Sequence, residues 1–275
     1  MKISFSTLGC PEWDLDTICS RGNHFGYQGI DFRGYLNTLD ITLSQEFTAD
    51  IVATRQKIFD ASLEVSAISS SIAICLPEAF QRNVEEARRT IPLAQALGTK
   101  NIRVFGGGDL KGFSRDELIS TGKECMDTIL QIDGAKNLKW LVETHDLWIQ
   151  SSQFKGLLDR IPDPAFGALW DIGLTPWMAG EDPEDTFAAI GERVGYTHLK
   201  DSVYEPGHPQ AGEDGWHYVL PGTGQIPLLK AIRILKQNRY QGWLTFEHEK
   251  RWHPDLPEPD IAFPAFVQWI KPILG

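Results

Sequence analysis

The chain of 275 residues carries 26 Lys plus Arg against 37 Asp plus Glu, a formal charge of −11 at pH 7. An acidic surface of that size repels phosphate polymers and anionic membranes, so the expected partners include neither nucleic acid nor membrane. With 42% hydrophobic and 23% charged residues, the chain is globular rather than disordered, and long enough to hold a core without disulfides or a structural metal.

The first residues, Met-Lys-Ile-Ser-Phe-Ser-Thr-Leu-Gly, lack a basic stretch followed by an apolar run of signal-peptide length. No apolar run approaches the ~20 residues of a membrane span, and a cytoplasmic protein is the expectation. Cys10, Cys19, Cys75 and Cys125 form no Cys-x-x-Cys pair and no zinc-finger spacing. They are expected to be free thiols.

Short apolar runs at 3–8, 29–33, 64–70, 101–105, 138–143, 166–171, 194–200 and 243–247 predict strands. Helix signals fall between them. Asp14 opens a helix that Gly26 closes, and Ser44 opens the next, with Phe47, Ile51 and Ile58 near helical spacing. A helix over 83–97 ends at Gly98. Ser114 and Glu117 form a capping box ahead of Leu118, Ile119 and Met126. Ser151 starts a short helix with Phe154, Leu157 and Leu158, and Pro183 opens one with Phe187 and Ile190. Helices over 226–235 and 261–273 complete the chain.

Repeated strand–helix alternation implies parallel strands joined by right-handed crossovers. A closed (β/α)8 TIM barrel, α/β in class, typically takes about 250 residues. The expectation is therefore a single barrel domain over 1–275. An open doubly wound sheet would want a glycine-rich phosphate turn after its first strand. Leu8-Gly9-Cys10-Pro11 offers none.

Active sites of such barrels lie at the C-terminal ends of the strands. The last four predicted strands end in Val-Glu-Thr-His-Asp, Trp-Asp-Ile-Gly, Thr-His-Leu-Lys-Asp and Phe-Glu-His-Glu. Glu143, Asp171, His198 and Glu247 thus stand at one height on neighbouring strands about 4.8 Å apart. A single strand-end carboxylate is usually a solvated rim residue; four ligand types in one register are not explained that way. Three carboxylates and an imidazole suit one divalent ion, Mn²⁺, Co²⁺, Mg²⁺ or Zn²⁺. Such an ion would offset the mutual repulsion of three buried carboxylates. Side-chain alternation puts His145, Lys200 and Glu249 one layer higher, at the mouth. Lys200 can steady a developing oxyanion, or simply pair with Asp201 or Glu249. Arg33 and Arg103 are candidate substrate contacts. Gly106-Gly107-Gly108 allows close backbone approach or is only a flexible loop. Trp13, Trp177 and Trp252 fall in top-face loops, where an aromatic face can cover a sugar or merely pack.

Five strings carry a resemblance: Val-Glu-Thr-His-Asp (142–146), Trp-Asp-Ile-Gly (170–173), Thr-His-Leu-Lys-Asp (197–201), Pro-Gly-Thr-Gly (221–224) and Gly-Trp-Leu-Thr-Phe-Glu-His-Glu (242–249). The chain resembles the sugar phosphate isomerase/epimerase family of the xylose isomerase-like TIM barrel superfamily over essentially its full length. Ketose 3-epimerases, inosose dehydratase and endonuclease IV are relatives there. The resemblance implies that Glu143, Asp171, His198 and Glu247 bind one divalent metal, with Glu143 and Glu247 also the acid/base pair. It implies a small sugar or sugar derivative as substrate, and assembly into homodimers or homotetramers. Many relatives place a His three residues after the Asp, where it contacts substrate; Leu174 stands there in this chain.

The expected reaction is isomerisation or epimerisation, by proton transfer α to a carbonyl through an enediolate. The alternatives are a metal-dependent dehydratase or lyase acting on a keto-inositol or keto-glycoside, and a sugar-binding barrel without catalysis. In the dehydratase scheme His145 or Lys200 would assist the leaving group.

Overall fold

A computed structural model describes residues 1–275. In chain order the elements are β1 (Lys2–Ser6), α1 (Leu15–Phe25), β2 (Gly29–Phe32), α2 (Ile51–Asp60), β3 (Glu64–Ala73), α3 (Phe80–Leu97), β4 (Asn101–Phe105) and α4 (Arg115–Leu130). They continue with β5 (Lys139–Glu143), α5 (Ser151–Arg160), β6 (Phe166–Asp171), α6 (Leu174–Ala179), α7 (Pro183–Ile190) and β7 (Val194–Leu199). A hairpin of β8 (Asp201–Tyr204) and β9 (Trp216–Val219) follows, then α8 (Leu228–Gln237), β10 (Trp243–Phe246) and α9 (Pro259–Leu274). Eight parallel strands close in the order β1-β10-β7-β6-β5-β4-β3-β2, and β8 pairs only with β9. No helix is long and apolar enough to cross a membrane.

Alternation along each strand divides the barrel into two environments. Outward side chains such as Phe5, Ile30, Phe32, Val104, Trp140, Val142, Trp170 and Phe246 join the helices in one continuous apolar core. Inward side chains at the bottom, Ala67, Leu141, Leu169 and Tyr196, form a small separate plug. Above that plug the lumen turns polar. Ser4 Oγ bonds Thr245 Oγ1 at 2.7 Å, and Ser66 Oγ bonds the Tyr196 hydroxyl at 2.7 Å. These bonds satisfy buried hydroxyls, which keeps the polar layer affordable.

The helix signals act as expected at most ends. The Asp14 side chain accepts the Thr17 N–H, Gly26 and Gly98 close α1 and α3 with left-handed backbone, and the Ser114–Glu117 capping box opens α4. Four segments differ from the sequence expectation. Residues 7–9 curl into a 3-10 turn, so β1 ends at Ser6. After Ser44 the chain makes another short 3-10 turn, and α2 begins only at Ile51. Residues 174–179, expected as loop, form α6, and the long segment after β7 folds into the β8–β9 hairpin. Each of these pieces is six residues or shorter, too short to show a helical or alternating period.

Candidate metal centre

The end of β5, β6, β7 and β10 brings Glu143, Asp171, His198 and Glu247 together, all buried, with one donor atom from each within 4.8 Å of the others. His198 Nδ1 lies 2.8 Å from Glu143 Oε1 and 3.2 Å from Glu247 Oε1. Asp171 Oδ1 accepts the N–H groups of Gly173 and Leu174 at 2.8 and 3.1 Å. Those bonds fix the carboxylate and leave its other oxygen directed at the cluster. Asp171 Oδ2 and Glu247 Oε2 are buried without a hydrogen bond, although Lys200 Nζ lies 2.9 and 2.5 Å away. Their compensation is one ammonium shared with Glu249, fewer positive charges than the buried carboxylates carry. Two such oxygens beside an imidazole form a donor set that fits a divalent ion.

The charges are strongly coupled. Burial and Glu247 alone would raise the Glu143 carboxyl, but His198 and Arg103 pull it down to about 2. Asp171 goes up to about 6, because burial, with the Glu247 and Glu143 charges, outweighs Lys200. Burial disfavours a charged Lys200, yet Asp171, Glu247 and Glu249 hold its ammonium well above the usual range.

Lys200 Nζ also bonds Glu249 Oε1 at 2.7 Å. A side chain on Gly173 would collide with Lys200, so the glycine of Trp-Asp-Ile-Gly makes room for it. Asp201 turns away from Lys200. Its carboxylate accepts the N–H groups of Ser202, Gly222, Gly224 and Ile226 at 2.8 to 3.2 Å. The Pro-Gly-Thr-Gly string thus anchors the chain returning from the hairpin.

The other expected residues lie around the mouth. His145 is partly exposed; its Nδ1 bonds Asp146 at 2.7 Å, its ring rests on Phe105, and Nε2 has no protein partner. Asp146 holds this turn in left-handed backbone, at φ 52°. Arg33 is buried, with one bond to Ser71 Oγ at 3.0 Å. Arg103 is buried too: Nε approaches Glu143 Oε2 at 3.4 Å, one N–H reaches the Ser70 carbonyl at 3.0 Å, and its guanidinium stacks on Phe105 at 3.7 Å. Trp177 does not stand free. Its indole N–H reaches Asp214 at 2.7 Å and its rings pack on Trp216 and Tyr218 of the hairpin. Trp13 packs edge-on against Phe263, and Trp252 is half exposed. Gly106 lies flat under the Trp148 indole, where no side chain fits.

Three participants escaped the sequence reading. Asp31, fully buried, bonds His198 Nε2 at 2.9 Å, and Ser69 Oγ bonds Asp31 at 2.8 Å. The signal was present: an acidic residue inside the apolar run Gly-Ile-Asp-Phe must find a partner. Tyr218 is placed by the hairpin close enough for its charge state and that of Lys200 to influence each other, and no local pattern announced it.

Comparison with known proteins agrees with this architecture. A family model described as xylose isomerase-like TIM barrel matches residues 21–272. The chain is 25% identical over 220 residues to 3-dehydroshikimate dehydratase of Bacillus anthracis, covering 75% of this chain and 74% of that protein. It is 22% identical over 205 residues to hydroxypyruvate isomerase of Escherichia coli, covering 72% and 70%. Among solved structures, 3-keto-D-glucoside 4-epimerase from E. coli superposes with a TM-score of 0.76 at 12% identity, covering 99% of both chains. At that identity the superposition speaks for the fold alone.

Proposed function

The chain belongs to the xylose isomerase-like TIM barrel family, and we propose that it is a divalent-metal-dependent dehydratase of a small polyhydroxylated carbonyl compound. Glu143, Asp171, His198 and Glu247 hold the ion, which when bound supplies Lewis acidity toward the carbonyl oxygen and lowers the barrier to loss of the adjacent proton. His145 is the acid/base. Asp146 orients its imidazole through Nδ1 and leaves Nε2 available to the substrate. Nε2 takes the proton next to the carbonyl; the electron pair forms the new C=C bond and expels the β-hydroxyl. The protonated imidazole then gives its proton to that leaving oxygen, so one water departs and the residue is restored. Lys200 provides fixed positive charge for a substrate oxygen that gains negative charge. Arg33 lines the mouth as a contact for a carboxylate or hydroxyl, and Trp177 with Glu249 closes the wall.

The observation that carries elimination over epimerisation is the engagement of the two glutamates. Epimerisation needs proton carriers on both faces of the substrate. Glu143 faces His198 and Arg103 with its two oxygens, and Glu247 faces His198 and Lys200. Both oxygens of each glutamate thus face a nitrogen of these side chains, whereas His145 Nε2 has no protein partner. The similarity to a dehydratase over three quarters of the chain supports the same choice.

Isomerisation or epimerisation is the second reading. Glu143 ends β5 and Glu247 follows β10, two strands that β6 and β7 separate in the barrel, and a two-base site needs two such separated carboxylates. The test is incubation with 3-dehydroshikimate, hydroxypyruvate and ketohexoses in D₂O with each of Mn²⁺, Co²⁺, Mg²⁺ and Zn²⁺. Loss of one water, abolished in His145→Ala, is the expected result. Retention of the water with deuterium incorporated next to the carbonyl would select the second reading, and binding without either would overturn both.

A further inference from the structure

We infer that Asp31 is a positioning residue for the metal centre: it fixes which nitrogen of His198 faces the ion. The inference rests on the four-residue set binding a divalent metal, and goes beyond it by assigning a role to a residue on the opposite wall of the barrel.

The argument begins with what each atom can donate. An ionised carboxylate only accepts hydrogen bonds. Asp31 Oδ2 stands 2.9 Å from His198 Nε2, so Nε2 carries a hydrogen and donates it. Ser69 Oγ holds Asp31 from the other side, 2.8 Å from Oδ1 and 3.1 Å from Oδ2. Strand pairing fixes both: Asp31 lies on β2 in register with Ser6 and Ala67, two residues before Ser69 on β3. Asp31, Ser69 and His198 are all buried.

With Nε2 committed to Asp31, Nδ1 is the nitrogen turned toward Glu143 and Glu247. A neutral imidazole has one N–H and one lone pair. In this geometry Nδ1 likewise donates, to Glu143 Oε1 at 2.8 Å, so a bound ion would displace that proton and take the Nδ1 lone pair while Nε2 keeps its hydrogen on Asp31. A carboxylate behind a ligating His also raises its donor strength, and loss of such a support typically weakens metal binding about 10–100-fold. Asp31 touches neither substrate nor ion. Its side-chain hydrogen-bond partners are His198 and Ser69, so a fully buried carboxylate at this point is hard to explain by packing alone.

The experiment has two arms. In the first, wild-type protein with ¹⁵N-labelled histidine is loaded with ¹¹³Cd²⁺ and examined by NMR. Coupling of cadmium to His198 Nδ1, with a slowly exchanging hydrogen on Nε2, is expected. Ligation through Nε2 overturns the inference while leaving the metal site standing; failure to bind cadmium or zinc at all overturns the metal site and the inference with it. In the second, metal affinity is measured by competition with a chromophoric chelator. Asp31→Leu is expected to bind about 10–100-fold more weakly. Asp31→Asn keeps a carbonyl acceptor for Nε2 and is expected to recover most of that loss. Equal affinity in Asp31→Leu and wild type, or an Asp31→Asn variant no better than Asp31→Leu, would show a structural role only. If Asp31→Leu does not fold, Ser69→Ala carries the same measurement, with a smaller expected loss and ligation still through Nδ1.

Discussion

The ligand-type side chains come from β5, β6, β7 and the end of β10, while the residues that hold them come from β2, β3 and β4. Both groups point into the same lumen at about the same height. The ligand arc presents three carboxylates and an imidazole to one another. The opposite arc presents a carboxylate to the back of that imidazole, a guanidinium to Glu143 and a hydroxyl to the carboxylate. The difference teaches that a centre of this kind is built in two layers with different tolerances. A ligand must be of one chemical type at one place. A support only has to complete the hydrogen bonds of a ligand, so its identity is set by a partner far away in the sequence.

The sharpest way to break that division is to remove one member of each arc. His198→Ala deletes a ligand, and is expected to abolish bound metal and to lower kcat/KM by several orders of magnitude. Elemental mass spectrometry on wild type and variant checks it, with about one ion per chain expected in the wild type. Metal retained in the variant would mean that the arc from β5 to β10 is not the binding site. Arg103→Met deletes a support on the other arc. Met fills the space and keeps contact with Phe105, but Glu143 loses its guanidinium neighbour at 3.4 Å. Metal affinity is expected to fall about tenfold, with the ion still bound at saturation. A loss as complete as that of His198→Ala would erase the distinction between ligand and support.

The same distinction explains what could be read from sequence. The proposed ligands follow local strings, since strand end, strand parity and residue type are all contained in five or six consecutive letters such as Val-Glu-Thr-His-Asp. The barrel itself was equally open to reading, because Asn101–Phe105 and Phe166–Asp171 are bounded by their own helix caps and turns. Asp31 was not found because its partner is His198, on the far side of the barrel. Arg103 is a candidate substrate contact in the sequence reading, and no local string announces its approach to Glu143. Its placement against Glu143 and Ser70 depends on the registers of β3, β4 and β5, which only closure of the sheet determines. The Pro-Gly-Thr-Gly string was recognised without its reason, and the reason is Asp201, whose carboxylate collects the backbone N–H groups of that loop.

A smaller effect separates the two halves of the chain by their thiols. Cys10, Cys19, Cys75 and Cys125 all lie before β5, buried, while the half that holds Glu143, Asp171, His198 and Glu247 has no cysteine. Burial pushes Cys19 up to about 11 from an ordinary 9.0, with Asp16 adding to it. Burial likewise takes Cys125 up to about 11, against a bond from Asn83 that works the other way. In the unfolded chain both thiols release their protons near 9, and in the folded chain they keep them to about 11. Between those values the folded state binds more protons than the unfolded one, so stability must fall as pH rises. The loss is on the order of 2 kcal/mol for each thiol across the window. Urea unfolding at a series of alkaline pH values measures it, and a Cys19→Ala, Cys125→Ala double variant is expected to show a shallower decline. Native protein at neutral pH is expected to resist thiol labelling, and protein labelled on unfolding to carry every label before residue 126. Rapid labelling in the native state would mean that the β1–α4 half opens independently of the half that carries the ligands. The support arc would then be a mobile wall, and Asp31 would lose the rigidity that its hold on His198 requires.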